Sequence, residues 1–370
     1  MGLPQIQIDF LSKAVSAIKR SGLGVVALIL RDDVVKTPVV TVTSVDELTN
    51  TEWKTKNTNN LIWETANVDY IKQTLEDSPS KVIVVTITKA AAVGTALTLL
   101  NNIKFNYLAM PSAIKTGAAD TLKDDVADIV KWVKEKRSQG RKTLKAVVYS
   151  DVATDDEGII NFTTKGIKVG AKPYTPQQFT ARIAGALAGL PFTRSATYLV
   201  LPEVTEIQDH VDPDGDINKG QLILINDGEN IKIGRGVNSL TTLTDGKSEE
   251  FKKIKVVEIM DMIKDDIRDT FDSEYIGKVL NTYDNQVLFF TSVNAYLKSL
   301  AADDILDPSF NNQINVDVEQ QRLAWEGVGV DTSEWDDLKV KNMAFRSNVF
   351  AAGNIKITDA VEDLKLEIVI

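Results

Sequence analysis

The chain has 370 residues, enough for two or three domains, and its 43% hydrophobic and 25% charged content is ordinary for a globular protein. It has no cysteine, which excludes disulfides, thiolate nucleophiles and thiolate metal sites, and its single histidine, His210, restricts acid–base chemistry. The net charge of −10 argues against nucleic acid as a partner, and no apolar run approaches the roughly 18–20 residues that span a bilayer.

Residues 1–24 read as an arm. Ile6, Ile8 and Phe10 alternate with Gln5, Gln7 and Asp9, the period-two pattern of a strand. Leu11 to Lys19 is expected to form a short helix. Gly22 and Gly24 in Ser21-Gly22-Leu23-Gly24 form a joint, because glycine lowers the cost of redirecting the backbone. An edge strand of the following domain is the other reading of this segment. The start, MGLPQIQIDF, has no apolar signal core, so synthesis in a reducing cytoplasm is expected, with any work outside the cell following lysis or a special export route.

Residues 25–89 are expected to form a small N-terminal α/β domain. Val25 to Leu30 and Lys81 to Thr88 have the continuous apolar pattern of buried strands, and Pro38 to Thr43 is a further strand. Val68 to Leu75 is expected to be a helix, and Thr49 to Asn60 a surface loop.

An α/β core is expected over 90–245. Ala96 to Ile103 is predicted helical and Phe105 to Met110 a strand. Asp120 is the expected cap of a helix carrying Leu122, Val126, Ile129, Val130 and Val133, and Leu144 to Tyr149 is the next strand. This alternation implies a parallel sheet covered by helices. A hairpin is expected from Ile159 to Val169. Thr175 caps a helix with Pro176 in its first turn, and the small face Ala181, Ala184, Gly185, Ala188 and Gly189 predicts close packing.

The core ends in a second hairpin. Leu222 and Leu224 lie in an apolar run, Ile231 and Ile233 alternate with Lys232, and Asp227-Gly228 between them is a turn signal. A two-stranded hairpin is marginal in water and leaves two edges of unpaired backbone groups, so further strands are expected to cover it.

Residues 246–355 read as α+β. Helices are expected over Phe251 to Thr270 and Tyr283 to Leu300, and strands over Asn312 to Glu319, Arg322 to Val330 and Val340 to Ala351. Glu258, Asp261, Asp265, Asp266 and Asp269 are interleaved with Lys264 and Arg268, the pattern of a solvated helix face. Gly353 forms a joint before a second arm, 356–370, where Leu364, Leu366 and Ile368 share one face of a period-two strand. The first arm carries Lys13, Lys19 and Arg20 against Asp9. The second carries Asp359, Glu362, Asp363 and Glu367 against Lys356 and Lys365, so opposite charge favours their convergence.

No catalytic, cofactor-binding or metal-binding motif stands out. A nucleophile needs a base beside it, and His210 sits in QDHVDPDGD, read as an exposed acidic loop. Counted from Asp212, the positions where a calcium loop needs Gly and Glu hold Ile217 and Ile223, which leaves a solvated turn or an incidental cation site. Phosphate-loop and dinucleotide-binding glycine patterns are missing. Arg235 and Arg322 are candidate bidentate anchors for an interface.

Five stretches together resemble a known family: TARIAGALAGLPFTRSATY (180–198), GQLILINDGENIKIGRGVNSLTT (220–242), FKKIKVVEIMDMIKDDI (251–267), YIGKVLNTYDNQ (275–286) and TDAVEDLKLEIVI (358–370). They are similar to the contractile tail sheath proteins of bacteriophages and of phage-tail-like bacteriocins, and the first 30 residues resemble sheaths from Gram-positive hosts. The resemblance implies a partly subtilisin-like core without catalytic residues, and no enzymatic activity or cofactor. It implies a homo-oligomer of stacked hexameric rings around an inner tail tube protein, with baseplate and tail-terminator proteins as further partners. Arms from two neighbours complete the hairpin of a third subunit, and contraction drives the tube through a target envelope. Assembly in the bacterial cytoplasm and release as a virion tail or bacteriocin particle follow from the same resemblance. The alternative is a catalytically inactive, hydrolase-like binding module.

Overall fold

The computed structural model describes residues 18, 24–33, 37–49, 63–114, 124–140 and 142–369. Ile6, Ile8, Phe10 and Gly22 of the expected first arm, the expected cap Asp120, and most of the expected loop at 49–60 lie outside the described residues. The described chain divides into two bodies, residues 24–262 with 359–369, and residues 263–358.

The first body begins with β1 (Val25–Asp32), β2 (Val39–Val42), α1 (Val45–Thr49), α2 (Thr65–Leu75), β3 (Lys81–Thr88), α3 (Gly94–Leu100), β4 (Tyr107–Ala109), α4 (Asp125–Ser138), β5 (Lys145–Val148) and β6 (Ile159–Phe162). It continues through β7 (Ile167–Val169), β8 (Lys172–Tyr174), α5 (Pro176–Gly189), β9 (Val204–Glu206), α6 (Pro213–Asn218), β10 (Gln221–Leu222), β11 (Leu224–Asn226) and β12 (Ile231–Ile233). Helix α7 (Ile254–Glu274) begins in this body.

A seven-stranded sheet ordered β10-β6-β5-β4-β1-β3-β2 organises it, parallel except for β2. The central strands β1, β3 and β4 are predominantly apolar because helices cover both faces. Val26, Leu28 and Leu30 face a core shared with Ile71 of α2 and Ile183 of α5, while Ala27 and Ile29 face Leu97 of α3 and Ile129 of α4. β1, β2 and β3 thus belong to the sheet of the core and do not form a separate small domain over 25–89.

Local chemistry explains the main differences from expectation. Helix α4 starts at Asp125 because Asp124 accepts the Ala127 N–H. The hairpin expected at 159–169 does not form: β6 joins the large sheet, while β7 lies in a separate sheet ordered β8-β7-β9. Helix α5 follows its prediction, with a capping box between Thr175 and Gln178. Its small face meets α2 so closely that a Cβ on Gly185 would lie 2.2 Å from the Thr74 carbonyl oxygen. Gly24, expected as a joint, has φ +77°, and a Cβ there would come within 2.7 Å of the Ala188 carbonyl oxygen, so its conformation and its packing both demand glycine.

Part of the acidic face expected on α7 is not solvated, although Lys264 is exposed and Asp265 pairs with Arg268 at the surface. Lys145, 2% exposed, donates to Asp261 and pairs with Glu258, both at 2.9 Å. Arg137 forks onto Asp261 at 2.8 and 3.1 Å, and the Tyr107 hydroxyl donates to Glu258 at 2.6 Å. These groups tie the start of α7 to β4, β5 and α4.

The second body contains the end of α7, α8 (Tyr283–Ala302), β13 (Gln313–Val316), α9 (Val318–Glu326), α10 (Asp337–Asn342) and β14 (Ala351–Asn354). Asp266 accepts the Tyr296 hydroxyl at 2.7 Å, a second departure from a solvated acidic face. Strands expected over 322–330 and 340–351 are replaced by α9 and α10, whose starts are capped by Asp317 and Asp336. Arg322 donates to the carbonyls of Thr332 and Trp335 within this body. Gly353 does not loosen the chain: it pairs with Ile314, and a Cβ would meet the Gln313 carbonyl oxygen at 2.1 Å.

Candidate functional site

The hairpin is present, with a revised outline. β11 and β12 pair antiparallel in the register Leu224↔Ile233, Ile225↔Lys232, Asn226↔Ile231. Leu222 belongs instead to β10 at the end of the large sheet, with only Ile223 between it and β11. Leu224, Ile231 and Ile233 are buried, which pins the register, since a one-residue slip of either strand would turn its buried side chains outward. Gly228 has φ +93° at the first central position of the turn, where type II′ geometry places glycine. Asp227 accepts the Glu229 and Asn230 N–H groups and the Lys232 ammonium. The Lys232 hydrogen bond, followed by those N–H groups, holds its carboxyl well below the usual carboxylate range.

The two edges of the hairpin differ. The outer edge of β12 is occupied by the chain itself: Ile231 accepts the Leu201 N–H, Ile233 donates to Leu199 and accepts from Tyr198, all within 2.8–2.9 Å. On β11, ladder alternation turns the backbone groups of Leu224 and Asn226 outward, because the Ile223–Gly234 and Asp227–Asn230 pairs carry the inward bonds. Thr164 Oγ1 accepts the Leu224 N–H at 2.7 Å. Among the described residues, the Leu224 carbonyl and both backbone groups of Asn226 have no main-chain partner across that edge. Among the described residues, the hairpin therefore offers one open edge, not two.

Thr164 also ends a line that looks catalytic. Its hydroxyl lies 3.1 Å from His210 Nε2, and His210 Nδ1 lies 2.8 Å from Asp216 Oδ2. The carboxylate accepts, so Nδ1 donates and, in the neutral ring, Nε2 accepts the threonine proton. A nucleophile must reach its substrate, yet Thr164 is fully buried. It does not line the roughly 400 Å³ cavity beside His210, which is bordered by Tyr149, Asp151, Lys165 and Asp209. The histidine is thus a bonded structural group in a capped turn, where an exposed loop was expected. His210→Ala is expected to lower stability by about 1–2 kcal/mol through loss of these bonds, leaving assembly unchanged, as denaturant midpoints and sedimentation will show.

The end of the chain meets the hairpin base. Glu362 Oε1 accepts from Ser195 Oγ at 2.9 Å and Thr197 Oγ1 at 2.6 Å, and Oε2 accepts from Arg235 Nε at 3.1 Å. Arg235 also pairs with Asp363, and Lys253 with Asp359. Hydrogen bonding to Asp363 and Glu362 raises the Arg235 pKa against the opposing effect of its partial burial. Beyond this point Leu364, Leu366 and Ile368 are 87%, 70% and 74% exposed, and residues 355–369 include no strand. The acids expected to attract the other arm are thereby partly committed, with Asp359 and Glu362 paired inside their own chain. Ser195 and Thr197 were not anticipated, since their role depends on a partner more than 160 residues away.

Among the described residues, no group of three or more His, Cys, Asp and Glu side chains could hold a metal ion, and no helix is long and apolar enough to cross a membrane.

Comparison with known proteins gives a consistent result. Residues 81–239 match the family model described as "Phage tail sheath protein central domain", and residues 246–370 match "Phage tail sheath C-terminal domain". The chain is 35% identical over 377 residues to the tail sheath protein of Clostridium phage phiCD119, covering 99% of each. Its fold is similar to the crystal structure of a sheath tail protein from Desulfitobacterium hafniense, with TM-score 0.67, 16% identity, and 85% and 94% of the two chains covered. It is also similar to the helical sheath of the anti-feeding prophage in its contracted state, with TM-score 0.67, 12% identity, and 100% and 99% covered. The chain belongs to the phage tail sheath family and is a structural subunit of such a sheath.

Proposed function

We propose that this subunit polymerises into stacked hexameric rings around an inner tube, and that contraction of the polymer drives the tube through a target envelope. Baseplate and tail-terminator proteins bound its ends. Assembly takes place in the bacterial cytoplasm, and the particle is released at lysis. The subunit works mechanically and catalyses no reaction.

The observation that carries this reading is an open β11 edge in a chain whose C-terminal segment exposes Leu364, Leu366 and Ile368. An extended segment satisfies an open edge through main-chain hydrogen bonds, while its alternate side chains fill pockets. Donating that segment to a neighbour uses unlike surfaces on the two partners, and such head-to-tail contacts generate rings and helical filaments. Because β12 is covered by its own chain, one strand is added directly at β11 and the other arm pairs beyond it. Electron microscopy of the purified protein tests the proposal: hollow striated tubes are expected, and isolated globules at every concentration contradict it.

A further inference from the structure

We propose that Ser195, Thr197 and Arg235 form a carboxylate receptor that keeps Glu362 in its own subunit while the arm serves a neighbour, so that the exchanged segment begins at Asp363. This rests on the strand-exchange reading above.

The receptor is built before the arm reaches it. Thr197 Oγ1 accepts the Gly236 N–H at 2.9 Å, and Ser195 Oγ accepts the Thr197 N–H at 3.1 Å, so both hydroxyls are oriented by backbone. Arg235 lies two residues after the end of β12, which places the receptor at the hairpin base. The Glu362 side chain is only 7% exposed and accepts three hydrogen bonds. Pulling it out would give up three hydrogen bonds to a carboxylate and leave the buried Ser195 and half-buried Thr197 hydroxyls without their acceptor. Residues 363–369 present the opposite case: all are exposed, and Asp363 meets Arg235 only at the surface, with 82% of its side chain exposed. Separation of the arm from its own subunit therefore falls just after Glu362. Eight residues, 363–370, span at most about 26–29 Å when extended, which limits how far the acceptor edge can lie from the donor's receptor.

The Lys253–Asp359 pair lies three residues before Glu362 and provides a native reporter, because carbodiimide joins such a lysine and carboxylate without a spacer. Tubes grown from an equal mixture of ¹⁵N-labelled and unlabelled subunits are cross-linked and digested. Lys253–Asp359 peptide pairs are expected to be wholly light or wholly heavy. Mixed-label pairs overturn the proposal, since they mean that the arm leaves its subunit before Glu362. Glu362→Ala is expected to raise the tube-forming concentration about tenfold, with the soluble subunit still melting cooperatively. An unchanged threshold also overturns it. Failure of the wild-type chain to form tubes overturns both this inference and the strand-exchange reading, whereas wild-type tubes with mixed-label pairs overturn the receptor alone.

Discussion

Deleting residues 363–370 is expected to yield a folded, soluble monomer that forms no tubes at concentrations where the full chain does. The segment from 363 to 369 contributes nothing to either core: Leu364 is 87%, Leu366 70% and Ile368 74% exposed, and Val369 is 90% exposed. Glu362, the last anchored residue, is retained. Buried on a neighbour, each of the three alternating apolar side chains would supply about 1.5–3 kcal/mol, and each 1.4 kcal/mol is a tenfold change in concentration. Circular dichroism with a cooperative melt close to that of the full chain, together with a monomer in sedimentation, is the expected combination. An unfolded truncation would place the segment in its own core. Full-length tubes would show that it serves no neighbour.

Replacing Lys145 by Met is expected to destabilise the subunit by about 3–5 kcal/mol, because it leaves Glu258 and Asp261 buried without their shared cation. For a body of this size that corresponds to a fall in melting midpoint of roughly 10 °C. Arg137 still holds Asp261, and the Tyr107 hydroxyl still donates to Glu258, but two acids then share one positive charge. The variant Lys145→Met with Glu258→Gln and Asp261→Asn should lose less than the single change, since the stranded charges are gone. Burial pushes the Lys145 pKa down, but the Asp261 and Glu258 charges together overcome this and raise it. A raised lysine stabilises fully below its unfolded value of about 10.4, and that contribution is lost as pH climbs through the folded value. The wild-type chain is thus expected to lose this contribution only in strongly alkaline solution. A loss below about 0.5 kcal/mol for Lys145→Met would show the network to be dispensable.

Much of the fold could be read from local patterns. The continuous apolar runs of β1 and β3, the Thr175–Pro176 helix start and the small face of α5 each carry their structural meaning within a few residues. Two kinds of feature could not. Charges at helical spacing look the same whether they face water or a buried lysine on another strand, so in sequence Glu258 and Asp261 read as a solvated surface. The decisive partner, Lys145, is more than 110 residues away. The second is a helix start inside a segment expected to be strands: Asp317 followed by Gln320 has the spacing of a cap, and α9 begins there. At the candidate site the hairpin was legible, whereas the strand pattern of residues 364–370 forms no strand over 364–369 in the subunit. The hairpin's covered edge depends on the short apolar run 198–201, whose bridge to Lys232 only the fold defines, and the Glu362 receptor depends on hydroxyls oriented in the same way.

Ile223 is the only residue between the last strand of the large sheet and the first strand of the hairpin, and it is fully buried. Seen as a mechanical part, the hairpin has almost no slack where it joins the sheet. Tension applied along β11 passes through this one residue to β10, whose slanted hydrogen bonds to the parallel strand β6 cross between the strands. Such bonds are loaded in shear and share the force, instead of opening one after another like a zipper. A pull transmitted by an added strand is therefore delivered to the whole body before the hairpin can peel away.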